Sequence, residues 1–336
     1  MARELASIVY TVYNQVRYVR EALVSALTQS YEPLEVVVSD DASTDGTQMI
    51  IDEVVAVMGF VRCTESNNNN PKLKMFRKGG KTVVLNFNEK NLGICENFEY
   101  AFGLTQGELV FAFGGDDISS TNRVEKVMAA WIAAGKTALV ATSGGWLMGV
   151  GGKDYREYRR EVLIGAPVGA FNAYARCVYE DFPKIDPKLA VQTYEDCVYG
   201  LRAQFFAPPV YIDELLVHYR FGSGVSTGGA WRKKSIRGAQ AVKASCEQLL
   251  NDLEFVKDRL PIATYEKLKT TFAQRIAHEM NYLEVLSSDS FLKRWRAFRR
   301  HGFLQSGIKG LLLGGVLLFP KKVGDSFLWA HGICAL

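Results

Sequence analysis

The sequence predicts an α/β fold in which a mostly parallel sheet is covered by helices. Three observations predict it: the consecutive valines Val36–Val38, the similar run Glu108–Phe113, and the alternation of strand-like and helix-like stretches from residue 6 to about 58. A parallel strand that is covered on both faces needs no polar alternation, so continuous apolar runs are typical of it. Strand–helix–strand order is typical of βαβ units, which build parallel sheets.

The elements of the first half follow from apolar spacing and from turn residues. The predicted strands are Ala6–Tyr10, the run around Val36–Val38, Phe60–Cys63, Val83–Asn86 and Glu108–Phe113. The predicted helices lie within Val16–Ser30, from Gly46 through Val55, over Glu96–Leu104 and over Val124–Ala134, with Thr11–Asn14 and Asn91–Gly93 as loops. We expect Asp45 or Thr44 to be the N-cap of the second helix. Glu65–Lys81 is rich in asparagine, glycine and lysine and predicts a surface insertion.

The second half shows shorter strands and then a change to helices. A short strand is expected over Ala138–Thr142, a flexible glycine-rich segment over Gly144–Gly152, a charged stretch with interleaved tyrosines over Asp154–Arg160, and a strand over Val210–Tyr219. Tyr194 precedes a helix that extends to Arg202. Beyond about residue 231, apolar residues recur at spacings of three and four, which predicts two long helices separated at Pro261.

Composition excludes several classes of protein. The chain has 336 residues and a net charge of +4, too mild a charge to predict binding of nucleic acid. The six cysteines show no Cys-x-x-Cys spacing and the four histidines no zinc-type spacing, so we expect free thiols in a reducing cytosol and no structural zinc. Arg3 and Glu4 lead straight into a strand, so no signal peptide is expected.

The C-terminal stretch combines basic, aromatic and apolar residues. Leu292–His301 contains five basic residues with Trp295 and Phe298, and Ile308–Phe319 is almost wholly apolar. Twelve residues are too few for a bilayer span, which needs about 20. Such a composition suits a helix lying on anionic lipid. The alternative is a buried helix that packs on the protein.

Acidic residues follow two of the predicted strands. Asp40 and Asp41 end one apolar run, and Gly114–Asp117 ends another with two glycines and two carboxylates. Ligands of open α/β sheets sit at the carboxyl ends of strands, and adjacent carboxylates repel one another unless a cation offsets them. The alternative is a polar turn that caps the next helix. Glu195 and Asp196 form a third acidic pair, for which a first-turn preference of helices is the alternative.

Ordered motifs over residues 6 to about 226 resemble family 2 glycosyltransferases of the GT-A fold. The motifs are Ile8–Asn14, Ser25 with Gln29–Tyr31, Glu35–Thr47, Asn91–Gly93 with Asn97, Gly107–Glu108 leading into Asp116–Asp117, Glu195–Asp196, and Tyr219–Arg220 through Ser226. Each motif alone is weak, and their common order is what makes the resemblance specific. It implies a Rossmann-like, mostly parallel sheet with a C-terminal helical extension.

The resemblance also implies roles for individual residues. Thr11 and Tyr13 would line the nucleotide pocket, Asp41 would accept a hydrogen bond from the base, and Asp40 would support that loop. Asn97 and Asp117 would lie beside the donor, and Asp116 would hold Mg²⁺ or Mn²⁺ on its diphosphate. Asp196 would be the catalytic base with Glu195 beside it, and repulsion from Glu195 would raise the pKa of Asp196.

Two positions depart from the family pattern. Gly114 stands where the family has the first acid of its Asp-x-Asp motif, so contacts normally made there are lost or made otherwise. Gly222 stands where a histidine is frequent after Tyr-Arg, which removes a third protein ligand for a metal. One or two carboxylates still suffice, because Mg²⁺ keeps several waters and also takes phosphate oxygens.

The expected activity is inverting, metal-dependent transfer from a nucleotide sugar, UDP- or dTDP-linked, to a saccharide or lipid-linked acceptor in surface polysaccharide or glycoconjugate biosynthesis. We expect a catalytic domain over 1–229, with a nucleotide half to about 117 and an acceptor half from 118, and a helical extension over 230–336. The expected location is the cytoplasmic face of a membrane. The alternatives are a nucleotidyltransferase, although Thr11–Arg17 contains no glycine, and a non-catalytic sugar- or membrane-surface-binding protein.

Overall fold

The structure, a computed structural model, describes residues 3–63, 73–159, 169–222 and 231–301. Its strands there are β1 (Ala6–Val12), β2 (Leu34–Asp40), β3 (Val61–Arg62), β4 (Lys74–Lys78), β5 (Lys81–Phe87), β6 (Leu109–Gly114), β7 (Ile118–Ser119), β8 (Val140–Met148), β9 (Asp154–Tyr158), β10 (Asn172–Ala175) and β11 (Val210–Arg220). Its helices are α1 (Val19–Leu27), α2 (Thr47–Val57), α3 (Ile94–Leu104), α4 (Arg123–Ala133), α5 (Cys177–Glu180), α6 (Pro187–Ala190), α7 (Glu195–Arg202), α8 (Trp231–Val256), α9 (Ile262–Ser287) and α10 (Phe291–His301). A short 3₁₀ turn, Gly169–Phe171, leads into β10.

The strands form one sheet with the order β3-β4-β5-β2-β1-β6-β10-β8-β11-β7, and β9 pairs with β8. The central strands β5, β2, β1 and β6 are parallel to one another, and β11 is parallel to β8. Antiparallel pairs occur where β10 inserts between β6 and β8 and towards the edges. The α/β fold with a mostly parallel centre is therefore confirmed.

Two apolar layers cover the sheet, one on each face. Leu23, Ile51 and Val127 belong to the layer formed by α1, α2 and α4, and Phe98 and Val198 belong to the layer formed by α3, α5 and α7. Every residue of β2 is buried, as its run of valines predicts. Full burial stabilises each such valine by about 1.5–3 kcal/mol before the cost of ordering it.

The structure corrects several local predictions. Within 65–81, residues 74–78 are strand β4, which pairs with β5, so this part is not an unstructured insertion. Residues 144–148 belong to β8 and are not a flexible segment. The N-cap of α2 is Gly46 and not Asp45 or Thr44. Its φ of +97° lies in the left-handed region, which favours glycine. Asp45 instead accepts a hydrogen bond from the Thr47 backbone N–H at 3.0 Å.

Contacts between Cα atoms divide the chain into two compact units, Met1–Gly224 and Val225–Leu336. In the second unit α8 and α9 pack against each other through buried residues that include Leu249, Leu253 and Phe272, and α10 packs on α9. α8 ends at Val256, so Pro261 does not end it, although Pro261 was predicted to separate the two helices. Pro261 is instead the N-cap of α9. In the part of the chain that the structure describes, no helix has the length and apolar content to cross a bilayer. Ile308–Phe319 lies outside the described residues.

Candidate active site

Several strands end at the same edge of the sheet, and the predicted site residues follow them. Val12 of β1 is in register with Asp40 of β2, and Thr11 is in register with Gly114 of β6. Because these strands are parallel, the loops after them lie side by side. The sheet therefore brings the Thr11–Tyr13, Asp40–Asp41 and Gly114–Asp117 segments together, as their positions after strand-like runs predict.

Asp40 holds the loop that follows β2. Its side chain is fully buried, and Oδ1 accepts hydrogen bonds from the Ser43 backbone N–H at 2.9 Å and from Gln48 Nε2 at 2.6 Å. Oδ2 is buried and has no hydrogen-bond partner among the described residues. A buried acceptor without a partner is rare, and a ligand can supply its missing donor.

Asp41 ties this loop to the start of α3. Its Oδ1 accepts from the Leu92 backbone N–H at 2.8 Å and from Asn88 Nδ2 at 3.0 Å, and its Oδ2 accepts from the Gly93 backbone N–H at 2.9 Å. Asn97 is also buried, and its Oδ1 accepts from Ser39 Oγ at 2.6 Å. Both side chains thus brace the loops, and their contacts with a nucleotide stay predictions.

The loop after β1 is fastened to the loop after β2. The Asn14 backbone N–H donates to Ser43 Oγ at 2.8 Å, and the Thr44 backbone N–H donates to Asn14 Oδ1 at 2.9 Å. Thr11 is half-buried at the end of β1, whereas Tyr13 is 41% exposed. Tyr13 is therefore an aromatic ring at this edge that has surface left for a ligand.

The two glycines after β6 allow an unusually close approach of groups. A Cβ at Gly114 would lie 3.0 Å from Asp117 Oδ2 and 3.3 Å from Asp116 Oδ1, and a Cβ at Gly115 would lie 2.6 Å from Val12 Cγ2. Gly114 thus leaves a small space that is bordered by both carboxylates. A side chain there would fill it, which gives the departure from the family pattern a steric meaning.

Asp117 and Asp116 differ in their surroundings. Asp117 is buried and its Oδ1 accepts from the Arg220 backbone N–H at 2.7 Å, whereas Asp116 is half-buried. Burial, and then the charge of Asp116, raise the pKa of Asp117 well above its ordinary value. The positive charge of the fully buried Arg123 acts in the opposite direction and lowers the pKa of Asp117. Its guanidinium lies 4.5 Å from the centroid of the Phe113 ring, and burial lowers its pKa to about 9.

Glu195 and Asp196 open α7, as predicted. Asp196 Oδ2 accepts from the Gly169 backbone N–H at 2.8 Å, and Oδ1 is buried without a partner in the described part of the chain. Burial, and then the charge of Asp196, raise the pKa of Glu195 to about 8. The pKa of Asp196 is also raised, but its main cause is burial and not the expected repulsion from Glu195.

The Gly169–Phe171 turn connects this acidic pair with the end of β6. The turn packs on α7 and also on β6, so Asp196 and the Gly114–Asp117 loop share a structural neighbour. A Cβ at Gly169 would lie 3.0 Å from Asp196 Cβ and 3.1 Å from Glu195 Oε1. Glycine is therefore needed for the turn to lie directly against both acids.

The comparison with protein families identifies this region. The model described as glycosyl transferase family 2 matches residues 7–165. This segment, a little under half of the chain, is therefore similar to family 2 glycosyltransferase domains. The predicted resemblance is thereby confirmed for the region that contains β1 to β9, while the roles of single residues stay predictions.

Known proteins that are similar to this chain include further glycosyltransferases. Glycosyltransferase GlyG of Streptococcus pneumoniae is 30% identical over 122 residues, which are 36% of this chain and 33% of GlyG. The chain spans about a third or less of the length of the first curated relatives it matches. The crystal structure of S. aureus TarS 1-349 has a TM-score of 0.56 at 16% identity and covers 97% of this chain and 91% of that one. The mannosyltransferase PcManGT from Pyrobaculum calidifontis has a TM-score of 0.54 at 15% identity, covering 99% and 87%.

Arg220 is a residue of the candidate site whose role the sequence did not reveal. It is 2% exposed, its Nε donates to the Asp116 backbone carbonyl at 2.9 Å, and its guanidinium lies 4.3 Å from the centroid of the Tyr18 ring. It also forms an ion pair with Glu21. Together with the bond from its own backbone N–H to Asp117, these contacts hold the acidic loop. Its place after a predicted strand, in the Tyr219–Arg220 motif, was the available signal.

Other groups at this edge complete the site. Residues 14–18, with Val150 and Gly222, line a cavity of about 390 Å³ next to Arg220. Among the described residues, no three His, Cys, Asp or Glu side chains are grouped so that they could hold a metal ion by themselves.

None of the five described cysteines forms a disulfide.

Proposed function

We propose that this chain is an inverting, metal-dependent glycosyltransferase that moves a sugar from a nucleotide-sugar donor to a hydroxyl of a saccharide or lipid-linked acceptor. The observation that supports it most is the Gly114–Asp117 loop, which lies within the family 2 domain at the edge where the parallel strands end. Ligands of open α/β sheets bind at that edge.

On the donor side, the space at Gly114 fits a divalent cation held by oxygen. Asp116 Oδ1 borders it, and Mg²⁺ or Mn²⁺ is typically bound by one or two carboxylates together with substrate phosphates. When bound, the metal would neutralise charge on the departing nucleoside diphosphate. Asp117 keeps the loop in place through Arg220, and Asp40 Oδ2 offers an unused acceptor to the donor.

On the acceptor side, Asp196 is proposed as the general base. Its Oδ1 accepts the proton of the acceptor hydroxyl while that oxygen forms a bond to the anomeric carbon, and the bond from this carbon to the phosphate oxygen breaks. A single displacement from the opposite face inverts the anomeric centre. Burial and the charge of Asp196 raise the pKa of Glu195 to about 8, so Glu195 is mostly protonated at neutral pH and adds little charge beside the proposed base.

Two solved neighbours support the donor class. TarS 1-349 has been solved in complex with UDP and with UDP-GlcNAc, and PcManGT in complex with GDP-Man and Mn²⁺. These neighbours carry different nucleotides and are at most 16% identical, so they do not select one nucleotide for this chain. The nucleotide proposed from the sequence is UDP or dTDP. The proposed pathway is surface polysaccharide or glycoconjugate biosynthesis.

We further propose that residues 1–117 bind the nucleotide, 118–229 bind the acceptor, and 230–336 associate with the cytoplasmic face of an anionic membrane. The described residues of α10 support the last point. Lys293, Arg296 and Arg299 are exposed on it, as are the apolar side chains of Leu292 and Trp295. A helix with exposed cations and exposed aromatic and leucine side chains suits an anionic interface.

Thermal melting with UDP, GDP, dTDP and CMP, each with and without Mn²⁺, tests the donor proposal. A ligand at 100 times its Kd stabilises a protein by about 2.7 kcal/mol, which is easily visible. We expect one diphosphate to stabilise the chain only with Mn²⁺, and the Asp116→Asn variant to lose this stabilisation. Stabilisation by none of the nucleotides would contradict the proposal, and an unchanged response of the variant would contradict the role of Asp116.

A further inference from the structure

Three aromatic rings from different elements meet at the 3₁₀ turn that also contacts the proposed base. The ring cluster consists of Tyr158 of β9, Phe171 of the 3₁₀ turn and Tyr219 of β11. The centroid of Phe171 is 5.3 Å from that of Tyr158 and 5.8 Å from that of Tyr219. Phe171 is 3% exposed, whereas both tyrosines are half-buried and keep exposed surface. Neither the donor nor the metal chemistry uses these rings.

The backbone is shaped to receive the ring cluster. A Cβ at Gly145 of β8 would lie 2.6 Å from Phe171 Cε1 and 2.4 Å from the Val217 backbone oxygen. Only glycine therefore lets the Phe171 ring lie directly on the strand. Gly145 pairs with Tyr158 of β9 on one side and with Val217 of β11 on the other, so the ring cluster rests on three neighbouring strands.

The ring cluster lies on the same side of the sheet as Asp196. Arg220 contacts Tyr18 and Glu21, on the face of the sheet that α1 covers. Side chains alternate along a strand, so Tyr219 lies on the opposite face, which α7 covers. Phe171 follows two residues after Gly169, whose backbone N–H donates to Asp196 Oδ2 at 2.8 Å. The same turn thus positions both an aromatic surface and the carboxylate.

We propose that the ring cluster is the acceptor subsite, in which Tyr158 and Tyr219 stack against a pyranose ring and turn its hydroxyl towards Asp196. The proposal rests on the proposed function, and it names the saccharide ring as the part of the acceptor that is recognised. A pyranose has a face of C–H bonds that packs on an aromatic ring. Tyrosine also has a hydroxyl that can bond to the hydroxyls at the sugar's rim.

Saturation-transfer NMR on the full chain tests this. The probes are methyl β-D-glucopyranoside, methyl β-D-galactopyranoside, methyl α-D-mannopyranoside and methyl N-acetyl-β-D-glucosaminide. Irradiation of protein aromatic protons is expected to saturate the ring C–H protons of at least one probe. Tyr158→Leu and Tyr219→Leu are expected to reduce that transfer about threefold to tenfold, as for loss of one aromatic contact.

Tyr211→Leu is the matched control, because Tyr211 is a half-buried tyrosine near the start of the same strand β11. It is expected to leave the transfer unchanged. If the leucine variants do not fold, wild-type chain with ring-deuterated tyrosine replaces them, and it should show the same loss. Equal transfer from the wild type and these forms, or no transfer to any probe, would overturn the proposal.

The nucleotide melting experiment separates the two proposals. If a diphosphate stabilises the chain but no glycoside receives saturation, the acceptor subsite is wrong and the glycosyltransferase proposal stands. If glycosides receive saturation through the tyrosines but no nucleotide binds, the ring cluster binds sugar and the proposed transfer is wrong.

Discussion

Asp196 combines a fixed carboxylate oxygen with one that has no partner. Oδ2 accepts the Gly169 backbone N–H, whereas the buried Oδ1 accepts no bond in the described structure. Such a carboxylate is held in one orientation and yet can accept a proton. Asp196→Asn should therefore keep metal-dependent nucleotide binding and lower the rate of transfer about 10²–10⁴-fold, the usual contribution of a general base.

The measurement is the release of nucleoside diphosphate from the donor in the presence of acceptor, at a donor concentration above KM. Asp186→Asn is a suitable control, because Asp186 is the N-cap of the short helix α6 and accepts from the Lys188 backbone N–H at 2.8 Å. Because asparagine caps a helix about as well as aspartate, this variant should leave both stability and turnover nearly unchanged. Normal turnover in Asp196→Asn would exclude the base assignment.

Glu195 should make stability depend on pH between about 5 and 8. Burial raises its pKa to about 8 in the folded chain, above its ordinary value of 4.5. The folded state therefore holds a proton that the unfolded state has already lost, and stability falls as pH rises through this range. The Glu195→Gln variant should lack this loss, so its melting temperature should decline less than that of the wild type between pH 5 and pH 8.

Other buried acids contribute in the same direction, Asp117 among them, so the difference between variant and wild type is the informative quantity. Glu266 is exposed on α9, so the melting temperature of the Glu266→Gln variant should decline between pH 5 and pH 8 as much as that of the wild type. A Glu195→Gln slope equal to that of the wild type would mean that Glu195 is charged in the folded chain at neutral pH.

At the scale of elements, the central strands that are buried along most of their length were predicted, β1, β2, β5 and β6 among them. β2 and β6 are runs of apolar residues, and the acids after them could be predicted as site residues because a parallel sheet gathers its carboxyl ends at one edge. β4 and β9 were missed as strands. Their sequences are Lys-Met-Phe-Arg-Lys and Asp-Tyr-Arg-Glu-Tyr, and partly exposed strands near a sheet edge carry charges that resemble those of a loop.

The glycines of β8 show a second reason why prediction failed. Gly144 and Gly145 suggested a flexible segment, yet in the structure they are strand residues that admit the Phe171 ring and the backbone of β11. Whether a glycine marks a loop or a close approach depends on what packs against it. That partner is far away along the chain and leaves no local signal.

Arg220 links β11 with α1 and the loop after β6, and a conservative change there tests this role. Arg220→Lys keeps the charge opposite Asp117 but loses the planar group that stacks on Tyr18 and donates to the Asp116 carbonyl. We expect the unfolding free energy to fall by about 2 kcal/mol and the melting temperature by about 4–8 °C. We also expect the Mn²⁺ concentration needed for nucleotide stabilisation to rise about tenfold, a loss of about 1.4 kcal/mol.

Arg202→Lys separates the effect on the site from the effect on stability. Arg202 is 1% exposed, its guanidinium lies 5.1 Å from the centroid of the Phe182 ring, and it donates to the Pro183 carbonyl at 2.7 Å. It should lower the melting temperature by a similar amount without changing the Mn²⁺ requirement. An equal change in that requirement for both variants would reduce Arg220 to a residue that only stabilises the fold.

At the scale of the whole molecule, the net charge of +4 is small, but α10 carries several exposed cations close together. Lys293, Arg296 and Arg299 are exposed there, while Ala297 and Phe298 are buried, so the helix has an anchored face and a cationic face. Trp295, 41% exposed, stacks on Phe298 with centroids 5.7 Å apart and leaves an aromatic surface between the cations.

This distribution predicts which cations hold the chain on a membrane. Each basic residue near an anionic surface contributes about 1 kcal/mol, so the triple variant Lys293→Gln, Arg296→Gln, Arg299→Gln should bind vesicles of phosphatidylglycerol and phosphatidylcholine about 100-fold more weakly. Binding is measured by co-sedimentation at 50 mM and at 500 mM salt. Because the attraction is screened, the wild type should lose most of its affinity at the higher salt.

The matched control removes the same charge elsewhere in the second unit. Lys257, Arg259 and Lys267 are exposed outside α10, and changing all three to glutamine alters the net charge equally. If general charge governed binding, both triple variants would weaken it to the same extent. If α10 is the element that faces the membrane, only the α10 variant should bind vesicles more weakly. The surface potential of the lipid falls off within about one Debye length, so only cations close to the lipid are attracted by it. Full binding by the α10 variant would instead show that the cations of α10 do not hold the chain on the membrane, and would leave the apolar stretch of residues 308–319 as the explanation.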